Sequence, residues 1–294
     1  SSMGGSIIDS HSHTCYSKHA TGSVNELVRA SIEAGVSILT ITDHAPFPVD
    51  VDNRLLAGEL DHYFADIEQA RTAYHGEITI LQGLEFDYMP GTEAFTRDLL
   101  ARYPLDFAIG SCHYVEMPDE PMVKVWELPR LAAEVFLDRY FANLEGLVSC
   151  GLFDAVGHAD TLLRGLPEDV FLRRFEPLLA LLAHSGMAFE LNTSGLRKSS
   201  LTSPTAQEVR GLWSYPSQHL LPQLIAHNVP FTIGSDTHAP EDAGAGVAEL
   251  MRVLRPLGLE RISYYQGRRR IDVDIDILLP EGTSTILKQG AARS

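Results

Sequence analysis

Seven histidines, His11, His13, His19, His44, His113, His158 and His238, stand at or just beyond the ends of short apolar runs, together with Glu85 and Asp236. Imidazole and carboxylate donors suit zinc, manganese or iron, whereas an all-oxygen set would suit magnesium or calcium. His11 and His13 lie two residues apart, so on an extended strand both rings share a face and can serve one ion. Asp236 and His238 repeat that spacing. Nine donors exceed what one ion uses. The set therefore points to two or three divalent ions sharing a bridging carboxylate, as in two-metal hydrolases whose ions lie roughly 3.5–4 Å apart. Glu85 is the expected bridge.

Taken singly, each histidine reads as readily as a hydrogen-bonded, half-buried side chain, and an HxH or DxH pair alone is a weak signal. The coincidence at several strand ends carries the argument. His62, His75, His184, His219 and His227 fall on predicted helices or loops and receive no chemistry. Asp9, Asp43 and Asp160 read equally well as acceptors that orient ligand imidazoles and as loop or helix caps. Cys15 and Cys112 read as packing residues rather than nucleophiles. There is no GxSxG elbow and no GxxxxGK[ST] loop, and Gly244-Ala245-Gly246 lacks the third glycine of a dinucleotide fingerprint.

What must position these groups is a series of β-branched runs alternating with amphipathic stretches, the pattern of repeated βα units around a parallel sheet. The spacing predicts strands over Ile7–Thr14, Ser37–His44, Ile78–Tyr88, Phe107–Tyr114, Asp154–Asp160, Met187–Ser194 and Pro230–His238. It predicts helices over Val24–Ala34, Gly58–Tyr74, Thr92–Ala101, Leu128–Ser149, Glu168–Ser185, Ser217–Asn228 and Glu241–Leu254. Ser23 with Glu26 has capping-box spacing, and Gly35 stands where the first helix should stop. In a β/α barrel the reactive groups sit at the C-terminal ends of the strands, which is where the histidines fall. Ile262–Tyr265 and the alternating Ile271–Ile277 read as a half-buried strand or an edge extension. Ser1–Ser6 reads as a cloning remnant, and residues 7–294 as one domain.

With 45% hydrophobic and 21% charged residues, the chain has the composition of a protein with a sizeable core. A net charge of −16 opposes nucleic-acid binding, which depends on Lys and Arg neutralising phosphates. It leaves a small phosphorylated substrate open, since bound divalent ions can reverse the sign of a site. Three cysteines with no CxxC, and no apolar run of membrane-spanning length, predict a reduced, cytoplasmic setting without membrane attachment.

From Ile7 to Gly246 these residues, in this order, resemble the PHP (polymerase and histidinol phosphatase) superfamily. More narrowly, His11-Ser12-His13-Thr14 with His19, Thr42-Asp43-His44-Ala45-Pro46, Gly157-His158-Ala159-Asp160, the run Glu190–Lys198, Tyr215-Pro216-Ser217 and the run Gly234–Asp242 resemble the histidinol-phosphatase family. The resemblance implies an α/β fold, a distorted (β/α)7 barrel with a trinuclear metal site. One ion would take His11, His13, Glu85 and Asp236, a second Glu85, His113 and His158, and a third His19, His44 and His238. It implies hydrolysis of L-histidinol phosphate in histidine biosynthesis, with Glu85, Asp236 and Arg197 as catalytic residues. Arg197 is the expected bidentate grip on the phosphate, with Arg164 as a second candidate. The runner-up is another small phosphate ester or a nucleotide as substrate. A DNA-degrading module and a non-catalytic metal binder are further rivals, the first opposed by the charge and the second by the complete ligand set.

Overall fold

The computed structural model describes residues 6–119, 122–130, 134–198 and 215–279. The apolar runs fold as strands β1 (Ile7–Asp9), β2 (Val36–Ile41), β3 (Thr79–Asp87), β4 (Phe107–Ser111), β5 (Tyr114–Val115), β6 (Val123–Lys124), β7 (Ala155–Val156), β8 (Ala188–Asn192), β9 (Phe231–Gly234), β10 (Arg261–Gln266) and β11 (Arg269–Asp274). The helices are α1 (Val24–Glu33), α2 (Leu60–Ala73), α3 (Glu93–Arg102), α4 (Glu134–Ser149), α5 (Glu168–Ser185), α6 (Leu220–Ala226), α7 (Val247–Leu254) and α8 (Ile275–Leu278). The expected capping box forms: Glu26 N donates to Ser23 Oγ at 3.1 Å and Ser23 N to Glu26 Oε1 at 3.1 Å.

Seven strands pair in the order β1-β2-β3-β4-β7-β8-β9, and every pairing is parallel. Past their regular ends the two outer strands meet. Ser10 N donates to Ile233 O at 2.9 Å, Asp236 N to His11 O at 2.8 Å and His13 N to Thr237 O at 2.9 Å. Asp9 reinforces the seam by accepting from Ser235 N at 2.9 Å and Ser235 Oγ at 2.5 Å. The result is a distorted (β/α)7 barrel.

Strand alternation divides the core in two. On β4, Ala108 faces out to the main apolar cluster under the helices. Phe107 and Ile109 face in and pack with Ala155, Ala188 and Tyr265. Tyr265 belongs to the β10–β11 antiparallel hairpin, which seals the N-terminal mouth of the barrel. Its ring stacks on Phe107 with centroids 5.1 Å apart, Arg268 Nε donates to Asp154 Oδ2 at 2.6 Å, and Gly267 N donates to Asp106 Oδ1 at 2.9 Å. The tail is thus a hairpin of its own rather than an extension of the barrel sheet.

Other boundaries shift for local reasons. The predicted strands Ile7–Thr14 and Asp154–Asp160 keep regular pairing only to Asp9 and Val156, because the chain then turns to aim side chains at the site. His158 adopts φ 21, ψ 48, and Ala159–Arg164 coil as a 3-10 turn. The helix expected over Glu241–Leu254 begins at Val247, since positive φ at Gly244 and Gly246 breaks the helical path before it. The one expected over Ser217–Asn228 contracts to Leu220–Ala226. Residues 131–133 of the helix expected over Leu128–Ser149, and Ser1–Gly5, lie outside the described residues. Among the described residues no helix is long and apolar enough to cross a membrane.

Candidate metal centre

The ladders persist irregularly beyond the strands and carry the histidines to the C-terminal mouth. Thr42 N donates to Ser12 O at 2.9 Å, Glu85 N to Asp43 O at 3.0 Å and Ala45 N to Glu85 O at 2.9 Å. Close packing there requires Gly234, since a Cβ on it would stand 2.3 Å from His11 Cβ.

Glu85 lies at the middle of the cluster, 1% exposed, with its two oxygens facing different partners. Oε1 stands 3.0 Å from His11 Nε2, 3.2 Å from His13 Nε2 and 3.4 Å from His44 Nδ1. Oε2 stands 3.2 Å from His158 Nε2 and 3.4 Å from His113 Nε2, and accepts from Ser111 Oγ at 2.8 Å. Asp236 Oδ1 lies 3.1 Å from His11 Nε2 and 3.0 Å from His13 Nε2. Buried, it nevertheless has no hydrogen-bond partner of proper geometry. Nitrogen and carboxylate oxygen atoms crowded this closely around common points are placed as the ligands of a cation would be. A tetrahedral ion with bonds of about 2.0–2.1 Å would space its ligands by roughly 3.3–3.4 Å, close to what these atoms show.

Among the described residues, three sets of donor atoms lie mutually within 4.8 Å: His11, His13, Glu85 and Asp236; His44, Glu85 and His113; and His13, His44 and His238. The first is the quartet expected from the sequence. His158 joins the Glu85–His113 side, its Nε2 3.2 Å from His113 Nε2. In the third set His13 stands where His19 was expected. The His19 ring lies 5.1 Å from those of His44 and His238, close by but outside the tight group. Asp236 and His238, though paired in sequence, fall into different sets. His62, His75, His184, His219 and His227 join none of them.

Burial opposes every charge in this cluster, and the outcome depends on the partners. Glu85 and Asp236 are held well below the usual carboxylate range because the surrounding imidazoles, His11 foremost, outweigh burial. For His13, burial is overcome by Asp236 and Glu85, which bring it up to about 9; for His158, Glu85 does the same. His238 goes the other way, pushed down to about 3 by burial and by His13. Protons held by His13 and His158 near neutrality must leave before those rings can coordinate an ion.

Behind the rings lies a layer of acceptors that fixes which nitrogen points inward. His11 Nδ1 bonds Glu190 Oε2, and Glu190 Oε1 in turn accepts from His158 N at 3.0 Å and Asn192 Nδ2 at 2.9 Å. His113 Nδ1 lies 2.5 Å from Asp87 Oδ1. His13 Nδ1 reaches Ser17 Oγ at 3.0 Å, which donates to Asp43 Oδ1 at 2.7 Å, so Asp43 acts on its imidazole through a hydroxyl. Asp9 bonds Ser235 and the His11 backbone amide and touches no ring. Asp160 accepts from Ser217 N at 2.9 Å, and burial pushes it up to about 6. The sequence reading missed Glu190, Asp87 and Ser17. Asp87 could have been found, because it lies two residues after Glu85 on one strand and shares its face.

Above the cluster opens a cavity of about 390 Å³, rimmed by Asp50, Arg54, Tyr114, Trp126, Arg164 and Lys198. Arg197 is not on that rim, contrary to the sequence expectation. Its guanidinium turns outward, Nη2 donating to Ser235 O at 2.7 Å and Nη1 to Ala245 O at 3.2 Å, and so ties two loops together. These two bonds aim one N–H of each terminal nitrogen at carbonyls rather than into the cavity. Lys198, next to it in sequence, lines the cavity in its place.

Comparison with known proteins extends these observations. The PHP domain family model matches residues 9–194. The chain is 33% identical over 267 residues to a probable histidinol-phosphatase of Deinococcus radiodurans, an alignment covering 88% of this chain and 96% of that protein. It is 25% identical over 264 residues to a histidinol-phosphatase of Bacillus subtilis, covering 80% and 95%. A crystal structure of histidinol phosphate phosphatase from Lactococcus lactis subsp. lactis, complexed with zinc, L-histidinol and phosphate, superimposes with a TM-score of 0.74 at 20% identity, covering 90% of this chain and 98% of that one.

Proposed function

This chain belongs to the PHP domain family, and on that premise we propose that it is a metal-dependent phosphomonoesterase that hydrolyses L-histidinol phosphate to L-histidinol and phosphate. The observation that carries the reading is Glu85, buried at the cavity floor with one oxygen among His11, His13 and His44 and the other between His113 and His158. A carboxylate so placed suits a bridge between cations. The assigned ion sites are His11, His13, Glu85 and Asp236 for one ion, Glu85, His113 and His158 for a second, and His44 and His238 with His13 or His19 for a third. Zinc, manganese and iron all suit this nitrogen-rich set. Bound divalent ions would supply a hydroxide nucleophile at neutral pH and positive charge for the phosphoryl oxygens.

The chain's own residues do the rest. Glu190, Asp87 and the Ser17–Asp43 pair keep the three imidazoles aimed inward. Arg164 and Lys198 line the cavity and offer positive charge to the phosphate of a small ester. Trp126, Tyr114 and Asp50 line the same cavity, aromatic and carboxylate groups suited to a cationic or heteroaromatic alcohol. With three unpaired cysteines, a cytoplasmic setting fits the reaction. The test is phosphate release from histidinol phosphate by zinc- or manganese-loaded protein, with and without a chelator. Loaded protein inert on that ester would defeat the substrate assignment. Turnover of another small phosphate ester or a nucleotide in the same assay would establish the alternative instead.

A further inference from the structure

Arg54 is the largest fully buried side chain of the described residues, and it lies outside every candidate ligand set. From this position we propose that it is a positioning residue for the metal centre, holding Asp87 so that His113 presents Nε2 to Glu85 and His158. The proposal rests on the metal assignment made above.

The contacts form an unbroken chain. Arg54 Nη1 donates to Asp87 Oδ2 at 2.6 Å and to Ala45 O at 3.0 Å, Nη2 to Tyr114 Oη at 3.1 Å, and Nε to Asp50 O at 3.1 Å. The other Asp87 oxygen bonds His113 Nδ1 at 2.5 Å. An imidazole whose Nδ1–H is committed to a carboxylate must expose a bare Nε2, and that nitrogen faces His158 Nε2 at 3.2 Å and Glu85 Oε2 at 3.4 Å.

What sets this arm apart is the charge behind the acceptor. Glu190, which orients His11, is held by neutral donors, His158 N and Asn192 Nδ2. Asp43, behind His13, is held by Thr14 N, Thr14 Oγ1 and Ser17 Oγ. Asp87 has neither arrangement; beyond His113, its side chain is held among the described residues by the Arg54 guanidinium. A buried carboxylate that loses the cation paired with it has nothing left to fix its second oxygen, and a carboxylate that swings frees the imidazole to turn. Arg54 also anchors Asp50 and Tyr114 on the cavity rim, so the loop over residues 46–56 and the His113 arm share one anchor.

The test is metal stoichiometry and zinc affinity of the intact chain by competition with a chelating dye, together with the visible spectrum of the cobalt-loaded protein. Arg54→Met should weaken one ion by about 10–100-fold, the usual scale for losing such a support, and leave the ion at His11, His13 and Asp236 unchanged. Arg54→Lys should recover part of the loss, and millimolar guanidinium should restore the ion to Arg54→Ala where sodium at equal ionic strength does not. Should Arg54→Met fail to fold, Asp87→Asn, which removes the charge that Arg54 balances, should show the same loss of one ion. A folded Arg54→Met with wild-type affinity for every ion and an unchanged cobalt spectrum overturns the proposal, as does an equal weakening of all ions. Unaltered protein that takes up no ion at His113 would instead overturn the metal assignment itself.

Discussion

At the N-terminal mouth of the barrel, Phe107 and Tyr265 stack at 5.1 Å and Arg268 meets Asp154 at 2.6 Å. At the C-terminal mouth, further along β3 and β4, Glu85 and Ser111 face in among converging imidazoles. The inward positions of the same strands are filled by aromatic and aliphatic groups at one end and by imidazole and carboxylate donors at the other. The closed end is satisfied by its own contacts, while the open end keeps carboxylates and lone pairs whose natural complement is a cation. Stability and function are thereby separated along a single axis.

Substitutions at the two mouths should break that separation in opposite ways. The largest effect is expected from Glu85→Gln: phosphate release should fall by at least about 10³-fold, the scale of removing one strong transition-state stabiliser, while circular dichroism and melting remain those of a folded protein. At the other mouth Phe107→Ala should cost about 3–5 kcal/mol in denaturant unfolding, yet leave kcat of the metal-loaded enzyme within about twofold. If Phe107→Ala abolished turnover in still-folded protein, the two ends would not be separable.

The acid–base behaviour of the open end sharpens the contrast. His13 and His158 both sit near 9 against an ordinary value of 6.5, so their protonation in metal-stripped protein contributes stability that is whole below about pH 6.5 and lost as the pH rises to about 9. Zinc competes with those protons. Its affinity, and the gap in melting temperature between loaded and stripped protein, should therefore widen between pH 6.5 and 9, with proton release at pH 7 measurable by calorimetry in two buffers. A gap that narrows with rising pH would contradict this. The smallest effect is expected from Arg197→Met. Losing two hydrogen bonds to carbonyls should lower stability by about 1–3 kcal/mol and change kcat/KM by less than about threefold, whereas Lys198→Met should weaken substrate binding. A large catalytic loss from Arg197→Met would return that residue to the phosphate.

Much of this was legible in the chain. The alternation of β-branched and amphipathic runs specified the seven strands and their helices, because periods of two and 3.6 are local properties. The nine donors were legible because the barrel fold concentrates reactive side chains at strand ends. Asp43 kept its link to an imidazole but acquired an intermediary, Ser17, that spacing alone does not suggest. Glu190 and Asp87 stood in plain view on strands already recognised, yet their roles depend on which ring lies across the sheet.

By itself, then, the sequence determined the order of strands and helices and the inventory of candidate donors, since each follows from residue type and short-range periodicity. Only the tertiary structure decided the rest: that the outer strands meet through Asp9 and Ser235, that Arg197 spends its donors on carbonyls while Lys198 faces the cavity, and that Arg54 stands behind His113. The physical reason is that a hydrogen bond or ion pair between residues dozens of positions apart is governed by where whole strands end and turn, and no local pattern encodes that distance.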